Sequence, residues 1–400
     1  ATINDGSGSV LINDDDTILF TESIITTSAD GAYDVNVADI DSDGDMDIIT
    51  SSMNDDKIRW FENDGNVNPS FTENVITSNA DGVRKITFAD INGDGNLDII
   101  SASTDDDTIA WYENDGEVNP TFTKRQIFTS ADGAHDVRVA DIDGDGDLDI
   151  VSASGIDDKI RWFENDGALN PTFTAVDIDP TADGGRNYVF LVDLDSDGDI
   201  DILSTAYNDD TLTWYENDGA ANPSFNAVDI ASNIDGVYEV YAEDMDGDGD
   251  VDIIVAASNQ DKVVLFKNNG AADPTFSASD IITSAKSFGL DVNDIDGDGD
   301  LDIGLAGHDA LSSASSADKV SWYASDGASS PSWTFIEGTT NSKNGAENVV
   351  IADIDGDGDL DGVSASFLDD TIAWYENQGA AGNHLLTIAD VTTSNENAAN

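Results

Sequence analysis

An Asp-rich nonapeptide that returns seven times at nearly constant spacing restricts this chain more than any other feature. Its copies occupy residues 39–47, 90–98, 141–149, 193–201, 244–252, 294–302 and 353–361, with successive starts 51, 51, 52, 51, 50 and 59 residues apart. Such a period over nearly the whole chain marks a repeat architecture, in which each unit buries its apolar face against the next. The 400 residues are therefore expected in one repeat domain rather than in two or three unrelated ones.

Residues 133–176 serve as the model unit, and alternation and turn signals divide them into four short strands, A to D. Strand A, His135 to Ala140, alternates around Val137 and Val139; strand B, Leu148 to Ala153, follows the Asp loop. Strand C reads Lys159-Ile-Arg-Trp-Phe-Glu164, and strand D, Phe173 to Ile178, follows Asn170-Pro171. A proline stands just before strand D in six units (Pro69, Pro120, Pro171, Pro223, Pro274 and Pro331), which suits the start of an outer edge strand. Four strands in each of seven units predict an all-β fold, a seven-bladed β-propeller of four-stranded antiparallel blades, with A lining the axis and D outermost. The tryptophan of strand C recurs as Trp60, Trp111, Trp162, Trp214, Trp322 and Trp374, with Leu265 in the fifth unit. A residue that returns at one strand position reads as packing between blades rather than as a sugar-binding box.

The Asp loops have the chemistry of a hard cation site. Oxygen-bearing side chains fall at positions 1, 3, 5, 7 and 9, with glycine at position 6 for a sharp turn. Calcium takes six to eight oxygen ligands at about 2.3 to 2.6 Å, whereas magnesium demands a tighter octahedron. The expected ligands are Asp39, Asp41, Asp43, Asp45 and Asp47 in the first copy, and Asp90, Asn92, Asp94, Asn96 and Asp98 in the second. They are Asp141, Asp143, Asp145, Asp147 and Asp149 in the third, and Asp193, Asp195, Asp197, Asp199 and Asp201 in the fourth. The fifth has Asp244, Asp246, Asp248, Asp250 and Asp252; the sixth has Asp294, Asp296, Asp298, Asp300 and Asp302; the seventh has Asp353, Asp355, Asp357, Asp359 and Asp361. Position 7 is expected to offer its backbone carbonyl and position 9 to close the shell. Five carboxylates within a few ångströms repel one another, and a fold that repeats this arrangement needs a neutralising cation. About seven Ca2+ are expected as cofactors.

The run Ala-Asp-Ile-Asp-Gly-Asp-Gly-Asp-Leu-Asp-Ile (140–150) followed by Ile-Arg-Trp-Phe-Glu-Asn (160–165) resembles the FG-GAP/VCBS repeat family, which includes the calcium-binding propeller of integrin α subunits. The resemblance spans residues from about 17 to 390. It implies a seven-bladed propeller with calcium in the hairpin between strands A and B, usually in extracellular proteins concerned with adhesion or carbohydrate. The family also includes modules of polysaccharide-degrading enzymes and some fungal lectins, so membership restricts scaffold more than function.

Fifteen basic against 83 acidic residues give a formal charge of -68, a field that repels nucleic acid and anionic membranes and attracts cations. Neither a nucleic-acid partner nor membrane insertion is expected. With no cysteine, disulfides and thiolate metal sites are excluded. Extracellular calcium modules bind with Kd of about 10^-4 to 10^-3 M, which points to a secreted or cell-surface location. Residues 1–16 read as an N-terminal extension, 17–391 as the propeller and 392–400 as a tail; the start lacks the basic and apolar regions of a signal peptide.

Ligand contacts are sought where the repeats disagree. Six residues before each loop stand Tyr33, Arg84, His135, Asn187, Tyr238, Phe288 and Glu347, while the positions two later are all Val, Ile or Leu. The varied row is expected to ring the channel entrance on the face away from calcium, either as an individualised recognition surface or as relaxed packing at a strand start. The acidic B to C turns, such as Asp55-Asp56 and Asp209-Asp210, read as solvated, and the sixth of them is lengthened by residues 307–316. His135, His308 and His384 fall in separate units, and no catalytic motif accompanies them, so no catalytic residue is assigned. Two segments compete to close the ring: Ile18 to Ile25 and His384 to Val391. A spare strand would offer self-association by β-augmentation, and hence a filament. The preferred function is a non-enzymatic adhesion or structural surface module with a protein or glycan partner; the alternatives are a lectin and, third, a polysaccharide lyase or hydrolase.

Overall fold

Strand A of each unit pairs with B, B with C and C with D, always antiparallel, and the described residues form seven such four-stranded sheets. The computed structural model describes residues 18–182, 185–283, 286–307, 319–338 and 345–380. In blade 3 the strands are Ala134–Ala140, Asp149–Ser154, Lys159–Asn165 and Phe173–Asp179. The strands inferred from alternation agree with these to about a residue, and the seven-bladed all-β propeller is the observed fold.

The ring closes through the N-terminal segment. Ile18–Thr26 pairs with Thr371–Ala380, setting Ser23 opposite Trp374 and Ile24 opposite Ala373, so the chain start supplies strand D of blade 7. The competing segment, residues 384–391, lies outside the described residues, as does most of the lengthened turn of blade 6.

Strand B is buried from end to end in each blade because sheets press on both its faces. Strand D carries its side chains largely in solvent. The strand C tryptophans are buried between blades: Trp60 packs with Ala80, Val83 and Ile86 of blade 2, and Leu265 takes the same role in blade 5. The packing assignment of this row is therefore the observed one. A second seam comes from the asparagine that ends strand C. Asn114 donates its side-chain amide to the carbonyl of Ile40 in the preceding blade's Asp loop at 3.0 Å, and Asn165 and Asn217 bind Ile91 and Ile142 in the same way. With Asn268, Asn377 and Asn63 bound likewise to Leu194, Ile295 and Ile354, six of the seven Asp loops are fastened to the next blade as well as to their own, Ser325 replacing the asparagine beside the fifth.

Candidate metal centres and the channel face

The Asp loops owe their shape to hydrogen bonds that spacing alone can set. The position 1 carboxylate accepts the N–H of the position 6 glycine, as Asp39 does from Gly44 at 3.1 Å and Asp141 from Gly146 at 3.0 Å. The position 6 glycines have φ of 94–103°, a left-handed conformation that a side chain would strain. Position 9 is buried, and its carboxylate is a strut. Asp47 accepts the N–H of Asn63 at 2.8 Å and that of Ile40 at 3.3 Å, tying the loop to strand C and back on itself. The same strand C bond is 2.7–2.9 Å in the other six loops. The position 7 side chain leans toward the glycine of the C to D turn: a Cβ added at Gly65 would lie 2.0 Å from Asp45 Oδ2.

What converges is positions 1, 3 and 5. Asp39, Asp41 and Asp43 bring ligand oxygens within 4.8 Å of one another, as do Asp141, Asp143 and Asp145, Asp193, Asp195 and Asp197, and Asp244, Asp246 and Asp248. In the sixth loop Asp294 and Asp296 meet Asp302 of position 9. Burial, then the neighbouring aspartates, pushes Asp41, Asp143 and Asp195 above the usual carboxylate range, and Asp296 and Asp355 to about 6. Burial also raises the position 9 carboxylates to about 7 in Asp47, Asp98, Asp201, Asp252, Asp302 and Asp361, and to about 6 in Asp149. A set of hard oxygens that resists ionisation on its own fits a divalent cation.

Two loops depart from the pattern. In the second, Asn92 and Asn96 donate to Asp94 at 3.0 and 2.9 Å, softening the repulsion without a metal. In the fifth, Lys267 ends strand C where other blades carry Glu62, Glu113, Glu164, Glu216 and Glu376. Its ammonium pairs with Asp246 and, at 3.2 Å, with Asp248. Loop five therefore has a resident rival for any cation. The exchange of glutamate for lysine was visible in the sequence, but only the fold shows that strand C ends beside the loop.

The varied row does converge on the axis, though as a packed plug. The hydroxyl of Tyr33 lies 2.9 Å from that of Tyr238, 3.3 Å from that of Tyr188 and 3.4 Å from His135 Nε2. Arg84 donates to Tyr33 at 2.9 Å, Arg186 to Tyr238 at 3.3 Å, and Tyr238 to Glu347 at 3.4 Å. Phe288 meets Tyr238 edge to face at 5.0 Å. Tyr33, His135, Tyr188 and Tyr238 are buried, and burial followed by Arg84 holds His135 well below its usual pKa. Asn187 does not join them: its amide binds the carbonyl of Ala182 at 2.7 Å. The cause is register. Strand A carries an irregularity at Tyr33, His135 and Glu347, whereas blade 4 pairs Asn187 to Val192 without one, so Tyr188 reaches the axis instead.

Beneath the plug lies a charged layer that sequence reasoning missed. Lys85 bridges Asp34 at 3.1 Å and Glu239 at 2.9 Å, and Arg138 lies 3.8 Å from both Asp136 and Glu239. These acids also accept backbone N–H groups of neighbouring blades, Asp34 from Ile86, Asp136 from Val189 and Glu239 from Leu290. The layer borders a cavity of about 150 Å³ on the axis, which Asp291 and Asn348 help to line.

Comparison with known proteins agrees with this architecture. The model of the FG-GAP-like repeat matches at residues 48–101, 90–152, 143–204, 193–255 and 244–305, which together take in most of the chain. The chain belongs to the FG-GAP-like repeat family. No curated protein matches it in sequence. Among solved structures, this FG-GAP propeller is similar to virginiamycin B lyase from Staphylococcus aureus, with a TM-score of 0.58 and 13% identity over 90% of this chain and 99% of that one. It is also similar to BBS1N in its complex with ARL6DN, with a TM-score of 0.57 and 11% identity over 90% and 97% of the two chains. A lectin of Agrocybe aegerita described as recognising non-reducing terminal N-acetylglucosamine gives a TM-score of 0.49 and 20% identity over 80% and 81%. At these identities the likeness is one of fold.

Proposed function

We propose that this FG-GAP propeller is a non-enzymatic, extracellular calcium-binding module that serves as an adhesion or structural surface element. The observation that carries the reading is the repeated convergence of three carboxylates within 4.8 Å in Asp loops that are hydrogen-bonded into the blade seams. When bound, calcium would neutralise these carboxylates; positions 1, 3 and 5 would hold it, with position 9 supporting the loop. A domain held this way suits surroundings rich in calcium, because sites with Kd of about 10^-4 to 10^-3 M stay empty in a cytosol. The plugged channel mouth directs recognition to the outer strands and rim.

Calorimetric titration tests the metal reading directly. Loop five should bind calcium most weakly, since Lys267 must first leave Asp246 and Asp248. Lys267→Glu restores the residue of the sister blades, and should tighten that one site by about tenfold or more while leaving the others unchanged. Equal affinity in both proteins would show that Lys267 does not compete. The surface role is tested by imaging the calcium-loaded native assembly and by measuring its adhesion to cells. Turnover of a polysaccharide by the purified chain would overturn the non-enzymatic reading.

A further inference from the structure

Blade 4 keeps the acids of an ion-pair cradle whose basic residues it has lost. In blades 1 and 3, strand C begins Lys-Ile-Arg, and the arginine is buried between two acids. Arg59 pairs with Asp55 of the B to C turn and with Glu73 of strand D at 3.0 Å. Arg161 pairs with Asp157 of the turn at 2.5 Å and with Asp177 of strand D at 2.7 Å, and Lys159 adds a contact to Asp177 at 2.7 Å. In blade 4 the same strand begins Thr211-Leu-Thr213, so both cations are gone. Yet Asp209 stands in the turn as Asp157 does, and Asp229 lies opposite Thr213 as Asp177 lies opposite Arg161.

Other blades show what happens when the cradle is given up or kept. Blade 2 has Ala110 in place of the arginine and opposes it with Gln126; blade 7 opposes Ala373 with Ile24. Blade 5 retains Asp280 on strand D, and Lys262 binds it at 2.8 Å. Among the described residues, Asp229 is the strand D acid at this position that has no basic side chain beside it; it accepts only the hydroxyl of Thr213, at 3.0 Å.

The arginine's volume is also vacant. A cavity of about 210 Å³ lies there, lined by Asp179, Thr181, Ser204, Asp209, Thr213 and Asp229. Ser204 is 3% exposed and its Oγ in the cavity wall has no hydrogen-bond partner, as holds also for Thr50 and Ser152 opposite the arginines of blades 1 and 3, while the Ser52 hydroxyl that Arg59 binds is replaced here by Ala206. Thr181 precedes the buried Ala182 as Ser28 precedes the buried Ala29, and the Ser28 carbonyl accepts an N–H from Arg59 at 3.2 Å. The wall thus keeps the turn carboxylate, the strand D carboxylate and the linker backbone at the places where a sister blade meets a planar fork of N–H donors.

We propose that this cavity between blades 3 and 4 binds a guanidinium group, supplied by a small molecule or by an arginine side chain of a peptide, in the position that Arg59 and Arg161 fill in their own blades. The exposed carboxylates Asp209 and Asp229 form its mouth, so the ligand enters from the rim of the propeller. The planar head lies between the two carboxylates and its stem points to solvent.

Methylguanidinium chloride and N-acetyl-glycyl-arginyl-glycinamide, titrated in saturating calcium and followed by the NMR signals of the Trp214 and Tyr215 rings, test the assignment. Saturable shifts with both probes are expected, weakened at least tenfold in Asp229→Asn and abolished in Thr213→Arg, whose own side chain fills the space. Saturation by methylguanidinium alone would assign a free small molecule, and saturation by both an arginine side chain. No saturable shift, equal binding of n-butylammonium, or binding unchanged in Asp229→Asn would overturn the proposal. If Thr213→Arg fails to fold, Asp229→Asn decides alone, because the exposed Asp229 side chain accepts a single hydrogen bond, from the Thr213 hydroxyl, which the asparagine oxygen can also accept.

Discussion

Removal of calcium by a chelator at about pH 7.5 is expected to lower the melting temperature of this propeller by on the order of 20 °C. Each filled site adds about 2.7 kcal/mol when free calcium is 100 times Kd and the unfolded chain does not bind. Six such sites, loop five being left aside for its lysine, bring on the order of 16 kcal/mol. The pH dependence follows from the raised carboxylates. A group whose pKa is higher in the folded than in the unfolded chain favours folding while it is protonated, and that contribution is lost as pH rises through the folded pKa. Asp296 and Asp355 at about 6, and most position 9 carboxylates at about 7, place this loss between about pH 4 and 7 in the metal-free protein. Calcium replaces the protons, so its stabilising effect should be largest above pH 7 and shrink toward pH 5. Scanning calorimetry with and without chelator at the two pH values measures both. Identical melts at pH 7.5 would remove calcium from the account, and an effect equal at both pH values would remove the electrostatic part of it.

The Asp loops were legible in the sequence because the residues that shape them act locally. Gly44 turns, Asp39 binds the Gly44 N–H, and Ile40 and Ile48 anchor the loop in the core within nine residues of one another. The blade order was legible for a similar reason: proline before strand D and tryptophan in strand C recur at fixed offsets. The axis was less so. Whether Asn187 or Tyr188 reaches it depends on an irregularity in strand pairing, which leaves no mark in composition. Lys85, Asp136, Arg138 and Glu239 alternate with apolar residues just as solvent-facing charges do, and only ring closure turns their face into an interior. The vacant cradle of blade 4 lay in plain view as Thr211 and Thr213, but Asp209 and Asp229 are 20 residues apart in sequence and become its two walls only when strands C and D pair.

Lys85→Met should cost about 3 to 5 kcal/mol, the usual effect of removing one partner from a buried ion pair. The loss arises from what is left behind. Lys85 projects from blade 2, Asp34 belongs to blade 1 and Glu239 to blade 5, and the side chains of all three are less than 10% exposed. Without the ammonium, two carboxylates would share a low-dielectric axis with Arg138 alone, at 3.8 Å from Glu239. Neither can turn to solvent, because Asp34 holds the Ile86 N–H at 2.9 Å and Glu239 the Leu290 N–H at 3.0 Å. Burial already raises Asp34 above its ordinary pKa against the pull of Lys85. Removing that pull raises it further, so the variant should recover part of its stability by taking up a proton as pH falls. The variant combining Lys85→Met with Asp34→Asn and Glu239→Gln should be less destabilised than Lys85→Met alone, since it leaves no unpaired charge. Chemical denaturation in saturating calcium at several pH values separates these cases. A cost below about 1 kcal/mol, or one that does not change with pH, would mean that water reaches the axial cavity and screens the acids, and that the layer does not hold the blades together through charge.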